Sequence, residues 1–386
     1  MIICEEKLCC GCGACRHVCP VNAVEMVADA EGFLRPFVDE AKCIGCKRCE
    51  RECPVNKINA SEPEKSYAAF SKDADVRNSS SSGGVFYHLA KVILDEGGVV
   101  FGAAFDKDMR VCHRAAENEN ELRSLMGSKY VQSDASEVYD AVGTYLSEGR
   151  KVLFSGTPCQ CAAIKNVFGD REGLYLVDFI CHGVPTPLIW KKFIEEEHSG
   201  ATDASFRNKK RGWEEFSMKV DTPDGEYNVS RYKDPYLRMF LMNVALRPSC
   251  YSCSWKGEGY TSDITFADFW GISKVYPALH DDKGISLVIE RGEKGKLLLE
   301  RARDRLCIYS APLEKSVRSN GAYAASSKLP ARRGEFFERL IGGESFVSLS
   351  KSFALPMKQK DIFKIRMITL VKRILAMFSK KPGKEN

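Results

Sequence analysis

The sequence predicts a mixed α/β core preceded by a small α+β module rich in cysteine. Three features point there: a cysteine run that occurs twice before residue 54, strand and helix patterns that alternate from about residue 67 to 181, and a strand-rich stretch over about 205–270. At 386 residues the chain is long enough for two or three domains, one with a sizeable buried core. Apolar content of 44% and charged content of 28% are those of an ordinary globular protein. A net charge of +5 is mild. It points to a solvated basic surface and gives no reason to expect nucleic acid as a partner.

Seventeen cysteines are many, and their odd number forbids complete internal pairing. The opening "MIICEEKLCC" shows no secretory pattern, and no window reaches about 18 uninterrupted apolar residues. The expected location is therefore the cytoplasm, where dense thiols serve as metal ligands or redox groups. Cys9, Cys12, Cys15 and Cys19-Pro20 form C-x2-C-x2-C-x3-C-P, and Cys43, Cys46, Cys49 and Cys53-Pro54 repeat it 34 residues later. Three thiolates at this spacing wrap one face of a [4Fe–4S] cube, and the fourth, before proline, reaches the partner cube. Cys9, Cys12, Cys15 and Cys53 are thus expected to hold one cluster, and Cys43, Cys46, Cys49 and Cys19 the other. Gly11, Gly13 and Gly45 suit backbone that must turn tightly beside sulfide. A zinc knuckle normally uses two separated ligand pairs instead. Residues 1–58 resemble a bacterial two-cluster ferredoxin domain. Cys4 and Cys10 fall outside the pattern.

Residues 59–66 read as a polar linker, followed by a core in two parts, 67–145 and 146–325, and a C-terminal segment, 326–386. "SSSSGGVFYHLAKVILDEGGVVFGAAF" reads as loop, helix from Val85 to Leu94, turn and strand. "GRKVLFSGTPCQCAAIKNVF" reads as strand 151–155, loop 156–160 and a helix from about 161, and "GLYLVDFICHGVPTP" as another strand. Cys159 and Cys181 then lie just past the carboxyl ends of consecutive strands, the edge where open α/β sheets gather ligands. Cys250 and Cys253, in "CYSC", add a C-x2-C pair. Together they are enough for a third [4Fe–4S] cluster, although the spacing alone favours ordinary buried cysteines.

The segments "SSSSGGVFYHLA", "LMGSKYVQS", "VLFSGTPCQCAAIK", "LVDFICHGVP", "RPSCYSC" and "SDITFADFWGI" resemble the coenzyme F420 hydrogenase/dehydrogenase beta-subunit family over roughly residues 67–300. Its relatives include formate dehydrogenase beta subunits and plant chlorophyll-ring reductases. The resemblance implies a flavoprotein core carrying FAD, with the third cluster on Cys159, Cys181, Cys250 and Cys253. Cys161 is then a spare thiol, and Cys112 and Cys307 match nothing. Candidate FAD contacts are Ser81, Ser82, Gly83 and Gly84, then Ser128, Lys129 and Tyr130, then Ser155, Gly156, Thr157 and Pro158. Ser81–Gly84 sit where a helix begins, a place suited to a pyrophosphate, although without the resemblance simple serine capping with glycine in a turn is the favoured reading. Candidate catalytic groups are Lys129, which could neutralise a phosphate or the reduced flavin, and His182, as a proton donor or a hydrogen-bonding neighbour of the cluster.

These parts imply an iron–sulfur flavoprotein oxidoreductase that passes electrons between clusters, FAD and an organic acceptor or donor, F420-like or another reducible small molecule. A relay subunit serving a partner enzyme is the alternative, and a binding protein with structural clusters a third. Either a redox partner protein or a small-molecule carrier supplies or takes the electrons. "RNKKRGW" (207–213) is either an anion-greeting patch or a solvated hairpin loop. In the tail, Phe363, Met367, Leu370, Val371, Ile374, Leu375, Met377 and Phe378 share one helical side, opposite Arg366, Arg373 and Lys380. Such a helix lies on the inner face of a membrane through 358–381, or docks its stripe on the protein or a partner.

Overall fold

The computed structural model describes residues 2–380, 382 and 383. Strands β1 (Val24–Ala28) and β2 (Leu34–Val38) make the antiparallel hairpin of the N-terminal module. The remainder carries β3 (Lys65–Ser71), β4 (Val99–Phe105), β5 (Val111–Ala116), β6 (Val152–Ser155), β7 (Leu174–Phe179), β8 (Asp203–Asn208), β9 (Ser217–Thr222), β10 (Gly225–Ser230), β11 (Ile264–Asp268), β12 (Ser286–Glu290) and β13 (Leu306–Ser310). One eight-stranded sheet runs β13-β3-β12-β11-β7-β6-β4-β5, and β10-β9-β8 form a second, antiparallel sheet. The four central strands β11, β7, β6 and β4 are parallel, with antiparallel strands on both flanks. The core is therefore a mixed α/β sheet, as the alternating patterns predict.

Local chemistry explains the elements. Parallel strands covered on both faces read as apolar runs, and Val152, Leu153 and Phe154 of β6 are all fully buried. The helix Val85–Asp95 buries Val85, Leu89, Val92 and Ile93 on one face and ends at Gly97, whose φ of +73° suits glycine. The helix Pro158–Phe168 begins about three residues earlier than the sequence pattern suggests. Thr157 and Gln160 cap each other's backbone there, and Pro158 fills the first helical position, where its missing N–H costs nothing. The supposed loop 156–160 is thus mostly helix. Cys159 sits in its first turn, where the dipole favours a thiolate.

The tail forms a 19-residue helix, Gln359–Met377, and it docks through its charged side. Arg366 pairs with Glu215 at 2.6 and 2.8 Å, Lys372 with Glu214 at 2.9 Å, and Arg373 with Asp282 at 3.4 Å. Burial alone would raise Glu214, but hydrogen bonds from His280, Thr369 and Lys372 hold its carboxyl down to about 2. A carboxylate depressed in the folded state stabilises above its unfolded value, about 4.3, and loses that contribution as pH falls towards 2. Docking is therefore expected to be unchanged between pH 8 and 5. Glu214→Ala should increase protease cleavage around residues 354–360 about tenfold, the size of one charged hydrogen bond. Equal cleavage of the two proteins would show that Glu214 does not hold the helix.

Candidate electron-transfer site

The eight cysteines of the doubled run fall into two groups in space. One hollow is lined by Cys9, Cys12, Cys15 and Cys53, with Ile3, Met26 and Val55 around them. The other is lined by Cys19, Cys43, Cys46 and Cys49, with Val21, Val24, Val38 and Ile44. Each group takes three thiols from one run and the proline-flanked thiol from the other. Among the described residues no three His, Cys, Asp or Glu side chains converge on a point that would hold a single ion. Thiols around a polynuclear core each meet a different iron, so a single meeting point is not required of them.

Cys4, outside the spacing pattern, sits between Cys9 and Cys53 and hydrogen bonds to both, which pushes its own thiol up and theirs down. Cys10 lies likewise between Cys12 of the module and Cys159 of the core, and its hydrogen bonds push its own thiol up and the Cys159 thiol down. Neither cysteine was assigned a role from spacing, because what places them is tertiary.

Cys159, Cys181, Cys250 and Cys253 arrive from three segments and lie within electrostatic reach of one another in every pairing. Cys159 follows β6 and Cys181 follows β7, neighbours in the sheet. Cys250 lies on the short helical turn Pro248–Ser252, and its Sγ accepts the Val184 N–H at 3.4 Å. Burial is the main cause raising Cys181, Cys250 (to about 12) and Cys253, as it must for uncompensated thiolates. Lys256 opposes it at Cys181, donating to the Cys181 carbonyl at 2.5 Å. Cys161 points elsewhere, towards the carbonyls of Gly156 and Val177.

The module is fastened to the core by Arg247, a residue the sequence reading passed over. This fully buried guanidinium donates to the carbonyls of Cys9 (2.7 Å) and Leu34 (2.8 Å), to Gln132 Oε1 (2.9 Å) and to Cys9 Sγ (3.7 Å). Gln132 in turn donates to the Cys10 carbonyl, and Tyr139 to that of Cys12. Gly11 and Gly13 have a use besides the tight turns expected of them. A Cβ on Gly11 would lie 2.7 Å from Arg247 Nη1, and one on Gly13 2.7 Å from Ser136. Both have positive φ, so these glycines let the core approach the module.

The segments singled out as flavin contacts are joined to one another. Ser128 N donates to Ser81 Oγ at 2.7 Å, and His113 bridges Ser133 Oγ and the Ser155 carbonyl at 2.7 and 3.1 Å. Ser82 donates to the Ile285 carbonyl, and a Cβ on Gly83 would strike Ser286. Gly84, not a serine, caps the helix Val85–Asp95, and no side chain makes a capping hydrogen bond there. The serine-capping alternative is thereby set aside. Gly156 N donates to the Val177 carbonyl, and Thr157 Oγ1 lies 3.1 Å from Cys159 Sγ. Tyr130 stacks on Phe240 with ring centroids 4.4 Å apart.

Lys129 donates to the carbonyls of Ser124 and Met126, and burial pushes it down to about 7. His182 is held by Asn243 Oδ1 at 2.6 Å, edge-on to Phe240, and burial favours its neutral form. The basic run at 207–213 is divided: Lys210 and Arg211 are exposed, whereas Arg207 and Lys209 turn inward. Arg207 is buried in a two-pronged pair with Asp268, Lys209 donates to the carbonyls of Arg77, Ser82 and Lys283, and Trp213 stacks on Trp270. Only the partners, far away in sequence, reveal this.

Residues 8–57 match the model for a 4Fe-4S dicluster domain. Residues 66–140 match that for the coenzyme F420 hydrogenase/dehydrogenase beta subunit N-term, and residues 149–316 that for its C terminus. Among solved structures, the chain is similar to a chain in the xenon-derivatised F420-reducing [NiFe] hydrogenase complex from Methanosarcina barkeri. Identity is 15% and the TM-score 0.47, over 76% of this chain and 91% of the other. No curated protein matches it. The chain belongs to the coenzyme F420 hydrogenase/dehydrogenase beta-subunit family, an oxidoreductase-related family, and bears a 4Fe-4S dicluster domain at its N-terminal end.

Proposed function

We propose that the protein is an iron–sulfur flavoprotein oxidoreductase of the cytoplasm, moving electrons between three [4Fe–4S] clusters, FAD and a small organic partner such as an F420-like ring. The observation that carries this reading is the unbroken line of thiols from the module to the sheet edge: Cys9 and Cys12, then Cys10, then Cys159 among its three companions. Cys9, Cys12, Cys15 and Cys53 would hold the cluster nearer the core. Cys19, Cys43, Cys46 and Cys49 would hold the outer one, and Cys159, Cys181, Cys250 and Cys253 the third. All-thiolate sets of four suit such clusters.

FAD, when bound, supplies the exchange between single electrons and electron pairs. The uncapped start of the helix Val85–Asp95, beside Ser81 and Ser128, offers free N–H groups and a positive dipole end to a pyrophosphate. Ser155–Pro158 lie next to Cys159 and would bring that ligand within reach of the third cluster. Lys129 would set a cation beside the phosphate loops. His182, next to Cys181 and oriented by Asn243, is the proposed proton-handling group.

Anaerobic purification should yield flavin and about twelve irons per chain. A flavin-free protein, properly folded and cluster-loaded, would overturn the oxidoreductase reading. The family's description as a beta subunit supports a second reading, a relay that serves a partner enzyme. Turnover of a small molecule or F420 by the isolated chain would exclude the relay, and strict dependence on a partner would favour it.

A further inference from the structure

We propose that the C-terminal helix is a keel that rests this protein on an anionic lipid surface. The helix docks on the body with the side that carries Ile362, its one buried residue, and a row of polar groups, and it turns its broader apolar side outward. Arg366, Thr369, Lys372 and Arg373 are taken up by Glu215, Glu214 and Asp282. The opposite side is left to solvent. Phe363, Met367, Leu370, Val371, Ile374 and Phe378 fall within an arc of roughly 100°, and each is more than 40% exposed.

The shape and charge of this face select its occupant. The apolar ridge is convex, one helix wide and roughly 22 Å long, a form that sinks between lipid headgroups. Lys358, Lys360, Lys364 and Lys380 stay exposed at its two ends, and none forms an ion pair among the described residues. Cations at headgroup level around an apolar face are what anionic lipid recognises. Among the described residues no helix is long and apolar enough to cross a membrane, so the helix lies on the surface. Because ion pairs fix it to the body, the whole protein is carried down with it.

The test is flotation of the full-length, cluster-loaded protein with two kinds of vesicle, phosphatidylcholine alone and phosphatidylcholine mixed with phosphatidylglycerol. The wild type should float with the mixed vesicles, and about tenfold less with the neutral ones or at high salt. The double variant Leu370→Asp/Ile374→Asp, on the outward face, should stay at the bottom with its cluster absorbance unchanged. Lys360→Glu/Lys364→Glu should lose most of the preference for the anionic vesicles. A wild type that does not float overturns the proposal. So does equal flotation on both vesicles, or a dimer that buries this face and ignores lipid.

Discussion

Cys181→Ala is expected to lower the iron content from about twelve to about eight per chain while leaving the module's clusters intact. Cys181 is the thiol to remove because it follows β7 and lies within electrostatic reach of Cys159, Cys250 and Cys253. Three thiolates without a fourth hold a cube poorly, whereas the fold loses only one sulfur, about 1 kcal/mol. Cys161→Ala is the matched control. It deletes a thiol two residues from Cys159 that is more deeply buried and hydrogen bonds to the Gly156 and Val177 carbonyls and to Ser262, and it should keep all twelve irons. The same pair of proteins separates the route from the endpoints. With Cys181→Ala the module should still be reduced by an added donor, but bound flavin should no longer follow it. Unchanged iron in Cys181→Ala would remove the third cluster from the proposal. Iron lost equally from Cys161→Ala would mean that the core merely tolerates no change there.

The parts of this site that were legible in the sequence are those set by local spacing. C-x2-C-x2-C-x3-C-P encodes a wrapping of backbone within eleven residues, so the grouping of Cys19 with Cys43, Cys46 and Cys49 could be read directly. The apolar runs at 99–101 and 152–154 announced the central strands in the same way. Sheet order was not legible, because β3, early in the chain, pairs with β12 and β13, late in it. Arg247 looked like any basic residue beside "PSC", since its four acceptors come from residues 9, 34 and 132. The run at 207–213 was legible only for Lys210 and Arg211, which do face solvent. Four basic residues in seven suggest solvent, but Asp268 and the loop carbonyls that draw Arg207 and Lys209 inward are remote in sequence. The tail pattern was read correctly as two-sided, yet which side faces the body depends on Glu214, Glu215 and Asp282.

Arg247→Ala is expected to loosen the module from the core and to lower the potential of one cluster only. The guanidinium is 1% exposed and serves four acceptors at once, so its loss leaves the Cys9 and Leu34 carbonyls and Gln132 buried without a donor. Removing one member of a buried charged network costs about 3–5 kcal/mol. Amide exchange should therefore rise across residues 1–58 and stay unchanged in β6 and β7. The second effect is electronic. The N–H aimed at Cys9 Sγ, and the charge behind it, favour the more negative, reduced state of whatever Cys9 holds. Without them the midpoint should fall by roughly 60 mV, a tenfold change for a one-electron couple. Arg247→Lys separates the two. It keeps the charge but cannot fork to four acceptors, so it should restore much of the potential and little of the docking. A redox titration followed by electron paramagnetic resonance would show whether one signal moves while the others stay. If all three move together in Arg247→Ala, the arginine acts only by holding the module in place, and the Cys9 contact has no electronic part.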